Sequence, residues 1–445
     1  MGRSGDIRGD TRRGGVPGAH GAHAEHGPHE DHRAAGADAA RPAHGSTGVP
    51  AGPGGRGAHG SRGAHRSWAQ ARAEAVALGA RRGAAQREVP LDRALGGVLG
   101  ADVRALVGLP AFDASAMDGF AVAGPGPWLL VGRQLAGAPA SSAGLRPGEA
   151  VEIATGARVP KGAESVLPYE RATTRDGKVE GPAERGRHVR WAGEETAPGE
   201  TVLTRGSVIG PAVLGLAASL GHETLPVSCP RLSVLVTGDE VATEGLPGDG
   251  RVRDAIGPLL PGIAGWAGAR LERVRHLGDD RSALLAEAEG GDTDVVAVCG
   301  SSSRGPADHF RSVLDDLGAT VVVDGVACRP GHPQLLAYTD RTVFVGLPGN
   351  PGAALVAAVT LLVPLLSAMT GRADPGRRLP RAALDHGVVP HPADTRLIAV
   401  RLADGRAVPV GHDRPGSLRG AALADAYAVV PPDWDGAEVE LVGLP

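Results

Sequence analysis

Asp113 and Asp118 stand five residues apart in the stretch 108–122, GLPAFDASAMDGFAV. Small side chains separate them, Ser115 included, so carboxylate and backbone oxygens can both reach a ligand. Gly119 lets the main chain turn where a Cβ would clash. An acidic surface loop has the same composition, so this spacing alone leaves both readings open. Three more segments carry groups fit for chemistry. Residues 236–240, VTGDE, present the Thr237 hydroxyl and the carboxylates of Asp239 and Glu240. Hard oxygen donors of this kind suit Mg²⁺, which keeps several waters and shares substrate phosphates. Residues 299–308, CGSSSRGPAD, offer backbone N–H groups, the hydroxyls of Ser302 and Ser303 and the cation of Arg304 to an anion. Asp308 closes that segment just ahead of a helical run, as a metal ligand or as a helix cap. Residues 347–351, LPGNP, make a rigid turn through Pro348 and Asn350 into a helix. Each is weak alone, because Gly-rich strand-to-helix turns are common.

These loops need elements to hold them. The runs LSVLVTG, VVAVCG, TVVVDGVA and TVFVGLPG are short, β-branched and end in Gly, with helical segments such as SALLAEAEG and DHFRSVLDDLG between them. That alternation predicts an α/β domain with a mainly parallel sheet over 229–375, with ligands beyond the carboxyl ends of its strands. Strand-like runs alternating with Gly/Pro turns predict a small β domain over 109–190. Helical apolar spacing in WAQARAEAVALGARR and in VPLDRALGGVLGADV, with a return to helix after 200, predicts a helical domain from 67–108 and 191–228. Residues 376–445 read as strand and turn, a C-terminal β-barrel. Residues 1–66 hold Gly, Ala, His, Arg and Pro with almost no large apolar side chain, which predicts a disordered extension. Its histidines, with His20, His23, His26, His29 and His32 every third residue, form a tract able to bind Zn²⁺ or Ni²⁺, or a low-complexity tail without a role.

Composition excludes several classes. A net charge of −4 gives no footprint for nucleic acid or an anionic membrane. The longest apolar run, around 353–368, falls short of a bilayer span and reads as one buried helix. Cys229, Cys299 and Cys328 are odd in number and widely spaced, which points to a reducing cytoplasmic setting and against a disulfide framework.

Taken in order, these motifs resemble the molybdopterin molybdenumtransferase (MoeA) family, which includes the C-terminal domain of gephyrin. GLPAFDASAMDGFAV is similar to its LPxFDNSAMDGYAV, and GEAVEIATGARVPKGAESVLPYE to its IxTGAPVPxGADAVVxxE, which places Thr155. HVRWAGEE is similar to NIRxxGED, which places Arg190 and Glu195, and RPGHP stands where the family has KPGKP, which places Arg329. The TGDE and LPGNP elements are intact. The resemblance covers about 67–445. It implies a molybdopterin-binding α/β domain like that of MogA, an elongated homodimer, and insertion of molybdate into adenylylated molybdopterin with Mg²⁺ and release of AMP. It also implies a molybdopterin adenylyltransferase and apo-molybdoenzymes as partners. In it, Asp118, Glu240 and Asp308 are the catalytic candidates, and Asp239, Glu240 and Asp308 the metal candidates. Asp113, Ser115, Thr155, Arg190, Glu195, Thr237, Ser302, Ser303, Arg304, Arg329, Pro348 and Asn350 are the substrate-binding candidates.

The departures cluster in the anion-binding part. The family's DSN is Asp254-Ala255-Ile256, its GGVSVG is GSSSRG, and the Asn of FDNS is Ala114. Arg is not interchangeable with Lys, and His332 is mostly neutral at pH 7. A competing reading follows: a catalytically weakened paralogue that binds molybdopterin or nucleotide as a carrier or assembly module.

Overall fold

The computed structural model describes residues 65–139, 144–300, 308–385, 387–412 and 414–445. The expected disordered extension lies, up to residue 64, outside the described residues. His65 onward does not: Arg66–Ser67 pairs in parallel with Val326 and Ala327.

Ser67 then starts the first helix, Trp68–Arg82, through a capping box. Its hydroxyl accepts from Gln70 N–H and its own N–H donates to the Gln70 side chain, satisfying two groups that a helix start leaves open. The buried stripe of Trp68, Ala71, Ala75 and Leu78 lies in the largest core with the helical stretch 351–370. That stretch, Pro351–Thr370, holds an 18-residue window with a mean hydropathy of 2.2, enough by length and composition to cross a membrane. It is 94% buried inside the fold, and is the core helix that the apolar run predicted, somewhat longer than expected.

The second helical expectation, over VPLDRALGGVLGADV, is not met. Gln86–Pro90 and Val98–Leu99 are strands flanking Thr224–Ser228 in a three-stranded sheet, with one 3₁₀ turn between them. Pro90, Gly96, Gly97 and Gly100 interrupt a helix here, and pairing to the distant Thr224–Ser228 strand outweighs the local apolar spacing. Helix does return at Pro211–Ser219.

The β domain is a six-stranded sheet in the order Thr173–Arg175, Lys178–Glu180, Trp128–Gln134, Glu149–Ile153, Gly119–Val122, Ser165–Pro168. Gly119 sits between Ile153 and Pro168, and a Cβ there would stand 2.1 Å from the Leu167 carbonyl oxygen. Only glycine fits at the point where the acidic loop enters the sheet.

The α/β domain has strands in the order Arg270–Leu277, Arg231–Thr237, Val295–Cys299, Val343–Leu347, Leu335–Tyr338, Thr320–Asp324. The first four are parallel, so the 237–240, 299–300 and 347–350 segments gather at one edge. The last two are antiparallel, and the TVVVDGVA run is divided. Thr320–Asp324 edges this sheet, whereas Val326–Arg329 leaves it and joins the C-terminal domain beside Thr395–Ala403. In that domain Thr395–Ala403, Arg406–Pro409, Ala382–Leu384, Glu438–Gly443 and Ala426–Val430 close on themselves, because Thr395–Ala403 pairs with both Arg406–Pro409 and Ala426–Val430. The result is a five-stranded barrel.

Candidate active site

In the β domain, the acidic loop is pinned from two sides. Ala114–Ser115 pairs with Val189–Arg190, which brings the GLPAFDASAMDG and HVRWAGEE segments together. Asp113 Oδ1 accepts from Ala192 N–H at 2.9 Å, and Glu195 N–H donates to the Leu109 carbonyl at 3.0 Å. Asp118 is exposed. Its Oδ1 accepts from Thr155 N–H at 2.7 Å, and its carbonyl from Tyr169 N–H at 3.2 Å. One backbone bond thus aims the carboxylate and another fixes the main chain that carries it, while Oδ2 has no hydrogen-bond partner among the described residues. Thr155, Arg190 and Glu195 are exposed. Ser115 is a correction: it is fully buried, and its hydroxyl donates to the Met117 carbonyl at 2.6 Å. It shapes the loop and offers nothing to a ligand.

At the strand ends of the α/β domain, Thr237 is also turned inward. It is 5% exposed and its hydroxyl donates to the Cys299 carbonyl at 3.0 Å, locking two neighbouring strands. Gly238 adopts φ +130°, and the Glu240 carboxylate folds over it to within 2.6 Å of where a Cβ would be. Asp239 Oδ1 accepts from Asp279 N–H at 3.3 Å. Asp308 Oδ1 accepts from Phe310 N–H at 3.3 Å, a capping contact at the start of Phe310–Asp316. Pro348 is buried and fixes the turn; Asn350 is exposed and caps Pro351–Ala357 without a side-chain hydrogen bond. Ser302, Ser303 and Arg304 lie outside the described residues.

Two features at this edge have no local signal in the sequence. Asp254 Oδ2 lies 2.7 Å from His276 Nε2, while its Oδ1 accepts from Ile256 N–H and Gly257 N–H at 2.9 Å each. Burial alone would raise the Asp254 pKa; the hydrogen bonds from Gly257, His276 and Ile256 outweigh it and hold the carboxyl below its ordinary value. His276 is the penultimate residue of the strand next to the TGDE strand, with Val236 as its register partner. The two residues are 22 positions apart, and only the sheet brings them together.

Arg329 is exposed, yet its Nε donates to Asp394 Oδ2 at 2.7 Å. Burial, then the neighbouring His65, pushes the His332 pKa down, so that imidazole is neutral at pH 7. The segment 329–333 therefore delivers one compensated cation.

Among the described residues, no group of three or more His, Cys, Asp or Glu side chains is placed to hold a metal ion. Asp239, Glu240 and Asp308 form no closed cage. The exposed pair at 239–240 fits the way Mg²⁺ is usually held, by one or two carboxylates with water and substrate phosphates completing the shell.

Models of three known regions match in order: the MoeA N-terminal region (domain I and II) at 66–221, a probable molybdopterin binding domain at 233–368, and the MoeA C-terminal region (domain IV) at 381–442. Molybdopterin molybdenumtransferase 2 of Mycobacterium tuberculosis is 35% identical over 375 residues, spanning 78% of this chain and 91% of that protein. The chain belongs to the MoeA family of molybdopterin molybdenumtransferases. A molybdopterin molybdenumtransferase of Staphylococcus aureus is 26% identical over 77% of this chain and 86% of its own length. The crystal structure of the molybdopterin biosynthesis MoeA protein of Pyrococcus horikoshii superposes with a TM-score of 0.71 at 26% identity, covering 84% of this chain and 98% of that one. This MoeA-family chain is thus an enzyme of molybdenum cofactor biosynthesis. Asp113, Asp118, Thr155, Arg190 and Glu195 make no hydrogen bond or ion pair with described residues of the α/β domain.

Proposed function

We propose that this protein inserts molybdate into adenylylated molybdopterin. The two dithiolene thiols displace two molybdate oxygens, which leave as water with the two thiol protons and two protons from solvent, and a further water molecule cleaves the phosphoanhydride to free AMP. The observation that carries this reading is Asp118, an exposed carboxylate fixed by Thr155 and Tyr169 in a chain of this family. Asp239 and Glu240 are the residues that would hold Mg²⁺, which would supply neutralisation of phosphate charge. Asp118 orients the substrate through its open oxygen. Thr155 and Arg190 donate to substrate oxygens beside it. Glu240 and Asp308 set the strand-end side of the cleft, and Asn350 lines it.

The reading takes the active unit as a homodimer, which supplies strand-end loops opposite the acidic loop. It places the enzyme in the cytoplasm, between a molybdopterin adenylyltransferase and the apo-molybdoenzymes. Three free cysteines, two of them buried with thiol pKa values raised by burial, accord with a reducing setting. A second reading, a paralogue that binds but turns over poorly, is favoured by the Arg329–Asp394 pair and the neutral His332. Reconstitution of an apo-molybdoenzyme decides between them. Cofactor formation that requires molybdate and Mg²⁺ supports the insertase; pterin or nucleotide binding without cofactor formation supports the paralogue.

A further inference from the structure

Asp118 does not stand alone. It lines a cavity of about 250 Å³ with Arg133, Leu135, Glu152, Ala154 and Tyr169. Arg133 and Glu152 are register partners on the neighbouring strands Trp128–Gln134 and Glu149–Ile153. Glu152 is fully engaged: Oε2 accepts from Arg133 Nε at 2.7 Å and Oε1 from the Tyr169 hydroxyl at 2.7 Å. Those bonds fix the guanidinium plane. They leave its two terminal nitrogens without a hydrogen-bond partner among the described residues. The Tyr169 ring is held edge-on to Phe120, with centroids 5.2 Å apart and planes at 90°, and is 44% exposed; Leu135 is 55% exposed.

Size and charge decide what fits. Drug-sized ligands take pockets of about 300–1,000 Å³, so this cavity suits a bicyclic ring and not a whole nucleotide. Its lining carries two carboxylates and one guanidinium, an excess of negative charge that disfavours a phosphate. A neutral heterocycle with donors on one side and an acceptor on the other matches an open carboxylate oxygen beside an open guanidinium fork. We propose that this cavity binds the 2-amino-4-oxo edge of a pterin ring. The 2-amino and N3–H groups donate to Asp118 Oδ2, and the 4-oxo group accepts from Arg133, with Glu152 and Tyr169 as positioning residues. Tyr169 and Leu135 cover the ring. This rests on the insertase reading and assigns which part of that substrate Asp118 holds.

Fluorescence titration of the full-length protein with free pterin tests it, alongside lumazine, which has an oxo group in place of the 2-amino donor. The expected result is pterin binding about tenfold or more tighter than lumazine, since loss of one charge-assisted hydrogen bond costs at least that factor. Arg133→Met removes the fork but keeps the stem. It should weaken pterin about tenfold without a change in melting temperature, because the side chain is 65% exposed. Arg133→Lys should recover only part of the loss. Equal binding of pterin and lumazine, pterin binding indifferent to Arg133→Met, or no pterin binding overturns the proposal. So does Arg133-dependent binding of inorganic phosphate with no pterin preference, which would make the cavity an anion site. Cofactor formation with Arg133-independent pterin binding removes this inference alone. Arg133-dependent pterin binding without cofactor formation removes the insertase reading alone.

Discussion

The N–H of Thr155 donates to Asp118 Oδ1 across 2.7 Å, joining residues 37 positions apart. One oxygen of the carboxylate is thereby committed to holding direction and the other is left for substrate. Asp118→Asn keeps an acceptor for Thr155 and removes the charge. Folding stability should stay within about 0.5 kcal/mol, as for an exposed substitution. Cofactor yield in reconstitution should fall on the order of a hundredfold, the scale of losing one directed polar group in an active site. A yield equal to wild type would remove Asp118 from the mechanism.

The Asp254–His276 pair gives a pH signature. The folded carboxyl lies below its ordinary 3.8, so its contribution is present above the unfolded pKa and is lost as pH falls through the folded pKa. Asp254→Ala leaves two backbone N–H groups and an imidazole without their acceptor, at a cost of about 1–3 kcal/mol at pH 7. The gap between wild type and variant should narrow below about pH 4, as the carboxyl takes up its proton. Denaturant melts from about pH 7 downward measure it; a gap that does not narrow below about pH 4 contradicts the pairing.

Arg329 is tied to Asp394, so its charge is only partly available to an anion. Asp394→Asn should tighten AMP binding several-fold, with the gain shrinking as salt rises, and Arg329→Ala should weaken it. Calorimetric titration at two ionic strengths reads both. No response in either variant would take 329 out of the phosphate contacts.

Gly119→Ala should cost about 1–3 kcal/mol or more, because the new methyl meets a backbone carbonyl in a paired strand, which cannot swing away. A variant as stable as wild type in thermal melts would show that the Gly119–Leu167 contact is looser than described.

Removal of residues 1–64 should leave the melting temperature unchanged and take away most Ni²⁺ or Zn²⁺ affinity. A cut that also removes Ser67 should lose about 1 kcal/mol, the capping contribution at the start of Trp68–Arg82. Equal metal binding by full-length and shortened proteins would separate the histidine tract from metal.

Much of this protein is legible in the chain itself. The β-branched runs ending in Gly announce the α/β sheet, because a buried parallel strand needs apolar residues on both faces and a turn at its end. The spacing in GLPAFDASAMDGFAV and the order of TGDE and LPGNP place the ligand-bearing loops. Their chemistry sits in contiguous residues, and local sequence reports contiguous residues well. Long-range pairing decided the rest. Thr224–Ser228 turns the 86–99 segment into strands against its helical spacing. Ser115 and Thr237 look like ligands by type, but burial commits their hydroxyls to the backbone. Asp254 meets His276, Arg133 meets Glu152 and Tyr169, and Arg329 meets Asp394, all across sequence gaps that no periodicity encodes. Which oxygen of a carboxylate stays open depends on what the other oxygen finds, and that is decided only when the strands have come together.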